Sequence, residues 1–221
     1  MVTKHLTYAQ IEKVPLVAVI TLKNIAQAVP LAEALKKGGL TNLEITLRTP
    51  IALDVIRLLR DEFPDLNIGA GTVTDPNLYR QAKAAGAQFM VSPGATPELL
   101  VEAAKYHEIP FYPGVCTPSE MLLAESYGFD HVKFFPAEAL GGAKTLKAIA
   151  AALPNISILA SGGITEGDLA DYFNVSSVYA VSGSWFIAQD LMNAGRWDEV
   201  EILTRSAVIA TKNARSKALK K

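Results

Sequence analysis

The sequence predicts an α/β fold of the (β/α)8 barrel type, with a short N-terminal helix and an extra C-terminal helix. Eight short apolar segments are each followed by a segment of helical length, and this unit repeats roughly every 20–27 residues. The chain has 221 residues, a usual length for such a barrel. An open, doubly wound sheet is the structural alternative, but the first strand is not followed by a Gly-x-Gly-x-x-Gly turn, which favours a closed barrel.

The predicted strands are apolar runs of strand length, most of which are followed by glycine, proline, serine or asparagine. They cover Val14–Ile20, Leu43–Thr46, Leu66–Ala70, Phe89–Ser92, Pro110–Tyr112, Val132–Phe134, Ile156–Ala160 and Ser177–Val181.

The predicted helices follow these strands, and several begin at a capping residue or at proline. They cover Asn24–Lys37, Pro50–Phe63, Asp75–Ala85, Thr96–His107, Thr117–Tyr127, Ala143–Ala152, Thr165–Phe173 and Trp185–Asn193, with a lead helix at Tyr8–Lys13 and a last helix over roughly Asp198–Lys217. Because no linker or low-complexity segment interrupts them, we expect residues 1–221 to form a single domain.

Composition excludes several classes of partner. Half of the residues are hydrophobic, 19% are charged, and the formal net charge is −1. This balance argues against nucleic acid or an anionic membrane as the main partner. The N-terminal segment, which includes His5, is polar and has no apolar signal core, and no apolar run is long enough to span a bilayer. We therefore expect a soluble cytoplasmic protein.

The lysine of the sixth predicted strand is the first candidate for chemistry. Lys133 lies in the apolar run from His131 to Phe135, so both faces of its strand are expected to be covered. Burial disfavours the charged form of lysine, and the neutral amine is a nucleophile towards carbonyl carbon. The alternative is an ordinary lysine that reaches the rim or pairs with a carboxylate.

The second predicted strand carries a carboxylate and a guanidinium on one face. Glu44, Thr46 and Arg48 alternate with apolar residues, so they are expected to point into the barrel. Glu44 near an amine suits proton transfer, and Arg48 can bind a carboxylate through two parallel hydrogen bonds. A structural ion pair between them is the alternative.

Glycine-bearing turns follow the third, seventh and eighth strands. Gly69-Ala70-Gly71-Thr72 ends the third, whereas Ser161-Gly162-Gly163 and Ser182-Gly183-Ser184 end the last two. Two such turns after strands seven and eight are typical of the phosphate site of this fold. We interpret Trp185 as helix-start packing.

The sequence shows neither a set of metal ligands nor a pair of cysteines that could form a disulfide. Its single cysteine, Cys116, lacks an adjacent histidine and excludes an internal disulfide. His131 starts its strand and so belongs at the end of the barrel away from the chemistry. No Asp/His cluster has ligand spacing, and we expect no metal.

Taken together, these segments resemble the bacterial 2-keto-3-deoxy-6-phosphogluconate (KDPG) and 4-hydroxy-2-oxoglutarate (KHG) aldolase family. The similarity runs from about residue 14 to residue 193, in the order and spacing of the family. The matching segments are Leu43–Thr49, Gly69–Val73, Val91–Gly94, Val132–Glu138, Ser161–Ile164 and Gly183–Trp185.

The resemblance implies a class I aldolase of carbohydrate metabolism, of the Entner–Doudoroff type, that acts without a cofactor on a small 2-keto acid, yielding pyruvate and a phosphorylated aldehyde. It implies Lys133 as the Schiff-base lysine and Glu44 as general acid/base. Assembly as a homotrimer is implied as well. The resemblance also implies roles for further residues. Arg48 and Thr72 would bind the substrate carboxylate, and Pro93 and Phe135 would line the pocket. The phosphate would be bound by Ser161, Gly162, Gly163, Gly183 and Ser184.

Two positions depart from the usual family pattern. The family often has threonine where this chain has Ser161, and glycine where it has Ser182. Both lie in the expected phosphate turns, so they bear on how tightly phosphate is held. Two other functions remain open from the residues themselves: a phosphosugar epimerase or isomerase without a covalent step, and a non-catalytic protein that binds a phosphorylated ligand.

Overall fold

Parallel strands form the centre of the computed structural model, which describes residues 6–220. Residues 1–5, including the polar N-terminal segment and His5, and residue 221 lie outside the described range. The strands are β1 (Leu16–Ile20), β2 (Asn42–Thr46), β3 (Asn67–Gly71), β4 (Met90–Val91), β5 (Phe111–Tyr112), β6 (Gly114–Val115), β7 (His131–Phe134), β8 (Ser157–Ser161) and β9 (Val178–Gly183).

Helices surround the strands and follow them in the predicted alternation. They are α1 (Leu6–Lys13), α2 (Ala28–Lys37), α3 (Ala52–Glu62), α4 (Pro76–Ala84), α5 (Pro97–Ala103), α6 (Pro118–Ser126), α7 (Gly142–Ala152), α8 (Leu169–Phe173), α9 (Gln189–Asn193) and α10 (Trp197–Ala218). The (β/α)8-type fold is confirmed.

The strand order β5-β4-β3-β2-β1-β9-β8-β7-β6 brings the fifth predicted strand to both edges of the sheet. That strand is longer than predicted and is divided at Pro113, which has no N–H to donate. Its first half, β5, pairs with β4, and its second half, β6, pairs with β7. The Lys133 N–H also donates to the Pro113 carbonyl, at 2.9 Å. The two halves therefore almost close the barrel.

Aromatic side chains fill the end of the barrel where the strands begin. Phe89 and Tyr112 pack edge to face, and Tyr179 stacks on Tyr112. The ring of Tyr8, from α1, stacks on His131 with 4.0 Å between the ring centroids. His131 thus lies at the end predicted for it. The opposite end, where the strands finish, is left for ligands.

Some helix boundaries differ from the prediction. Asn24 does cap a helical segment, because its Oδ1 accepts a hydrogen bond from the Ala26 N–H at 3.0 Å, but that segment is a single 3-10 turn ahead of α2. The predicted helix start at Trp185 is wrong. The Ile187 N–H instead closes a turn on the Ser184 carbonyl, and Ala188 is extended, so α9 begins only at Gln189.

Candidate active site

A buried lysine–glutamate pair lies inside the barrel. Lys133 Nζ, on β7, is 3.2 Å from Glu44 Oε1, on β2, and the two residues are 6% and 1% exposed. The second carboxylate oxygen, Glu44 Oε2, is buried without a hydrogen-bond partner among the described residues. The carboxylate can thus exchange a proton with the amine at one oxygen and with a bound molecule at the other.

The position of Glu44 depends on a glycine in the neighbouring strand. Strands β2 and β3 pair in parallel, with Thr46 opposite Gly71. A Cβ atom at Gly71 would overlap the Glu44 carboxylate. Gly71 therefore leaves the space in which the carboxylate reaches the amine.

A cavity of about 470 Å³ opens above this pair, at the end of the barrel where the strands finish. Every residue that the sequence analysis assigned to the site contributes to its lining: Glu44, Arg48, Thr72, Pro93, Lys133, Phe135, Ser161, Gly162, Gly163, Gly183 and Ser184. The ring centroid of Phe135 lies 5.4 Å from Lys133 Nζ and covers the amine on one side. The cavity thus combines an amine, a carboxylate, a guanidinium and glycine turns.

Arg48 lies elsewhere than the strand alternation alone suggests. It follows the end of β2 and is exposed, so its guanidinium lies at the mouth of the cavity and keeps water around it. The ion-pair partner of Glu44 in the described structure is Lys133. Thr46 shares the strand, but its hydroxyl donates to the Ile20 carbonyl and lies 2.7 Å from the Thr21 hydroxyl.

Thr72 has a left-handed backbone conformation. Its φ is +61°, a value that β-branched residues rarely adopt. Strain of this kind persists where the surrounding structure requires a side chain in one place. Here it keeps the Thr72 side chain on the cavity wall, and Arg48 lines the same cavity.

The turn after β8 presents its amide groups to the cavity. Gly162 and Gly163 have φ of +101° and +82°. The carbonyls of Ser161 and Gly162 accept from the Ala137 and Glu138 N–H groups, at 2.7 and 3.0 Å. Because C=O and N–H point in opposite directions across a trans peptide, the Gly162 and Gly163 N–H groups face away from that loop. Outside the ladder that joins β8 to β9, no hydrogen bond described for residues 6–220 uses them, so the Gly163 N–H in particular is free to bind an anion.

Four residues of the lining were given no role in the site from the sequence, although Ser182 was placed in one of the expected phosphate turns: Val19, Ile164, Ser182 and Trp185. Ser182 is fully buried, and its hydroxyl has no partner in the described part of the chain. The same is true of the Trp185 indole N–H, whose ring packs edge to face on Phe186. Strand alternation could have found Val19 and Ser182, because both alternate with residues that face the helices.

Cys116 lies outside the cavity lining. Its thiol hydrogen-bonds to Glu120, and this hydrogen bond, followed by burial, raises the pKa of the thiol. The thiolate is therefore less populated than in a free cysteine. Within residues 6–220, no group of three or more His, Cys, Asp or Glu side chains is arranged to hold a metal ion. No helix in that range has both the length and the apolar character needed to cross a membrane.

Comparison with known proteins identifies the family of this chain. The family model described as "KDPG and KHG aldolase" matches residues 8–203. This chain belongs to the KDPG and KHG aldolase family. It is 46% identical over 194 residues to the 2-dehydro-3-deoxy-phosphogluconate aldolase of Dickeya dadantii, covering 88% of this chain and 91% of that protein. It is 44% identical over 198 residues to the KHG/KDPG aldolase of Escherichia coli K12, covering 90% and 92%.

Solved structures of the KDPG aldolase family share the fold. The Legionella pneumophila KDPG aldolase, with pyruvate captured as a covalent carbinolamine intermediate, superposes with a TM-score of 0.86 at 40% identity, over 90% of this chain and 96% of that one. The Zymomonas mobilis ZM4 enzyme with 3-phosphoglycerate gives 0.79 at 35% identity, over 91% and 97%. The family resemblance seen in the sequence motifs is confirmed.

Proposed function

We propose that this protein is a class I aldolase that cleaves KDPG to pyruvate and glyceraldehyde 3-phosphate, and also cleaves KHG to pyruvate and glyoxylate. The observation that carries the proposal is the buried Lys133–Glu44 pair, 3.2 Å apart, beneath a cavity that holds both a guanidinium and free glycine amides. Relatives named for both substrates support it.

The chemistry begins at Lys133. Its uncharged amine adds to the C2 ketone to give a carbinolamine. Glu44 then transfers a proton to the carbinolamine oxygen, so that water leaves and an iminium forms. The iminium nitrogen withdraws electrons from the adjacent carbons. Glu44, directly or through water, then takes the proton of the C4 hydroxyl, and the bond between C3 and C4 breaks. Protonation of the resulting enamine and hydrolysis release pyruvate and restore the amine. This series of steps requires no cofactor.

The remaining residues hold the two ends of the substrate. Arg48 and Thr72 bind the carboxylate beside the reacting ketone, with Arg48 forming charge-assisted bonds. The amides of Gly162 and Gly163 and the hydroxyls of Ser161 and Ser184 bind the phosphate, and Gly183, whose N–H pairs with β1, lines the same end of the cavity. Pro93 and Phe135 form an apolar wall around the iminium and exclude water.

The experiment is borohydride reduction in the presence of pyruvate, followed by peptide mass spectrometry. We expect a pyruvate-sized mass on Lys133, and release of pyruvate from KDPG in a lactate dehydrogenase assay. Lys133→Met should show neither, with an unchanged circular dichroism spectrum. An active enzyme that cannot be trapped, or that is labelled on another residue, contradicts the proposal and favours the epimerase or isomerase alternative. Ligand binding without turnover favours the non-catalytic alternative.

We further propose that residues 1–221 act as one catalytic domain, that the chain is cytoplasmic, and that it assembles as a homotrimer. Support for self-association comes from α6, where two adjacent leucines, Leu122 and Leu123, are 50% and 38% exposed. Neighbouring exposed leucines are typical of surfaces that bind another protein.

A further inference from the structure

Glu138 and Tyr172 form a side-chain contact behind the turn after β8. The Tyr172 hydroxyl donates a short hydrogen bond to Glu138 Oε1. Glu138 follows the lysine-bearing strand β7, whereas Tyr172 lies on α8, the helix that follows the turn. Neither residue lines the cavity, so this contact has no part in the chemistry proposed above.

The Glu138 side chain also packs directly against the turn. A Cβ atom at Gly163 would lie 2.8 Å from Glu138 Cβ and 3.1 Å from its Cγ, so the stem of Glu138 touches the glycine backbone. The Glu138 N–H holds the Gly162 carbonyl at 3.0 Å. One residue therefore fixes both the carbonyl side of the turn and the space behind it.

Tyr172 holds Glu138 in this position. Tyr172 is buried, and burial, followed by its hydrogen bond to Glu138, raises the pKa of its hydroxyl. The hydroxyl therefore stays protonated and keeps donating at physiological pH. Glu138 itself is exposed, and a free carboxylate on the surface would have several side-chain conformations to choose from. The hydrogen bond selects the one that lies behind Gly163.

We propose that Glu138 and Tyr172 are positioning residues that hold the Gly162 and Gly163 amides in the orientation that binds the substrate phosphate. The pair acts through the turn and does not touch the substrate. This inference rests on the proposed function, because it takes the turn after β8 as the phosphate site. Its consequence is selective: losing the hydrogen bond weakens the binding of phosphorylated substrates and leaves the reaction at Lys133 intact.

The test compares KDPG with KHG, which lacks a phosphate, in Tyr172→Phe and Glu138→Ala. We expect KM for KDPG to rise about three- to tenfold in both variants, the effect of losing one hydrogen bond of ordinary strength, with kcat near the wild-type value. KM for KHG should stay within about twofold of wild type. Glu138→Gln should recover most of the affinity for KDPG, because its amide oxygen still accepts from Tyr172.

Tyr79→Phe is the matched control. Tyr79 is fully buried on α4, and its hydroxyl has no partner among the described residues, so the same chemical change should leave both KM values unaltered. An equal rise for KDPG and KHG, or no rise for KDPG, overturns the inference. If Tyr172→Phe does not fold, Glu138→Ala and Glu138→Gln decide it by the same comparison. A wild-type protein that cannot be trapped with pyruvate instead refutes the proposed function.

Discussion

Thr72 has a backbone conformation that is unfavourable for a β-branched side chain. A β-branched residue with φ near +61° costs about 1–3 kcal/mol, whereas glycine adopts this conformation without strain. The cost is offset if the threonine hydroxyl serves the substrate carboxylate. At this position, stability and activity are therefore expected to change in opposite directions.

For Thr72→Gly we expect the free energy of unfolding to rise by about 1 kcal/mol, after the greater flexibility of glycine in the unfolded chain is subtracted. We also expect KM for KHG to rise about tenfold, because the carboxylate loses a hydrogen bond. Urea denaturation and steady-state kinetics measure the two effects. A variant that is less stable than wild type would show that Thr72 carries no backbone strain.

At the residue scale, strand alternation was sufficient to bring Lys133 and Glu44 together, because both are inward-facing polar residues in apolar strands. It could not give the left-handed conformation of Thr72, which no local pattern encodes. Nor could it give the contact of Glu138 with Tyr172, since those residues are separated by a helix and a strand. The exposure of Arg48 was missed because β2 ends at Thr46, before the alternation reaches it.

Among the elements, β2 and β3 are joined at their beginnings by two buried asparagines. Asn42 Nδ2 donates to the carbonyls of Val14 and Leu16, at 2.9 and 3.2 Å. Asn67 Nδ2 donates to Asn42 Oδ1, at 3.1 Å. Asn67 Oδ1 has no partner among the described residues. Asn42 is therefore the centre of this network, and Asn67 is peripheral.

We expect Asn42→Ala to lower the free energy of unfolding by about 3 kcal/mol, because it removes two hydrogen bonds to backbone carbonyls and leaves the buried Asn67 amide without its partner. Asn67→Ala should cost about 1–2 kcal/mol, because it removes one hydrogen bond and also one unsatisfied oxygen. Urea denaturation of both variants measures the difference. Equal losses would mean that the two amides contribute alike and would contradict the ranking.

The order of the elements was predictable because apolar runs of strand length alternate with capped helices along the chain. The boundaries of the elements were less predictable. The fifth strand was predicted over Pro110–Tyr112, but the Pro113 carbonyl accepts from Lys133 and pairing resumes after it. The helix expected at Trp185 begins at Gln189, because the residues between them form a turn and an extended segment.

At the scale of the whole molecule, the exposed leucines of α6 bear on the proposed self-association. Leu122 and Leu123 on α6 expose apolar surface that a folded monomer leaves in water. Burial of a leucine side chain on association is worth about 1.5–3 kcal/mol, so a charge at this position opposes assembly strongly. The helix itself does not need either side chain, since it packs on the barrel through Met121 and Ala124.

We expect Leu122→Glu to convert the proposed trimer to monomers at micromolar concentration, as measured by sedimentation velocity. Ile202→Glu is the control, because Ile202 is 64% exposed on α10 and the same charge is introduced on another helix. Ile202→Glu should remain trimeric. If Leu122→Glu still sediments as a trimer, or if only Ile202→Glu dissociates, α6 is not part of the interface.

The hydrogen bonds from Ala137 and Glu138 to the turn after β8 join that turn to the strand that carries Lys133. The proposed nucleophile and the proposed phosphate-binding amides are consequently joined by a short hydrogen-bonded path. A substrate spans this interval with its own carbon skeleton. Under the proposed function, we therefore expect keto acid phosphates one carbon shorter or longer than KDPG to be poorer substrates, because they cannot reach both Lys133 and the turn.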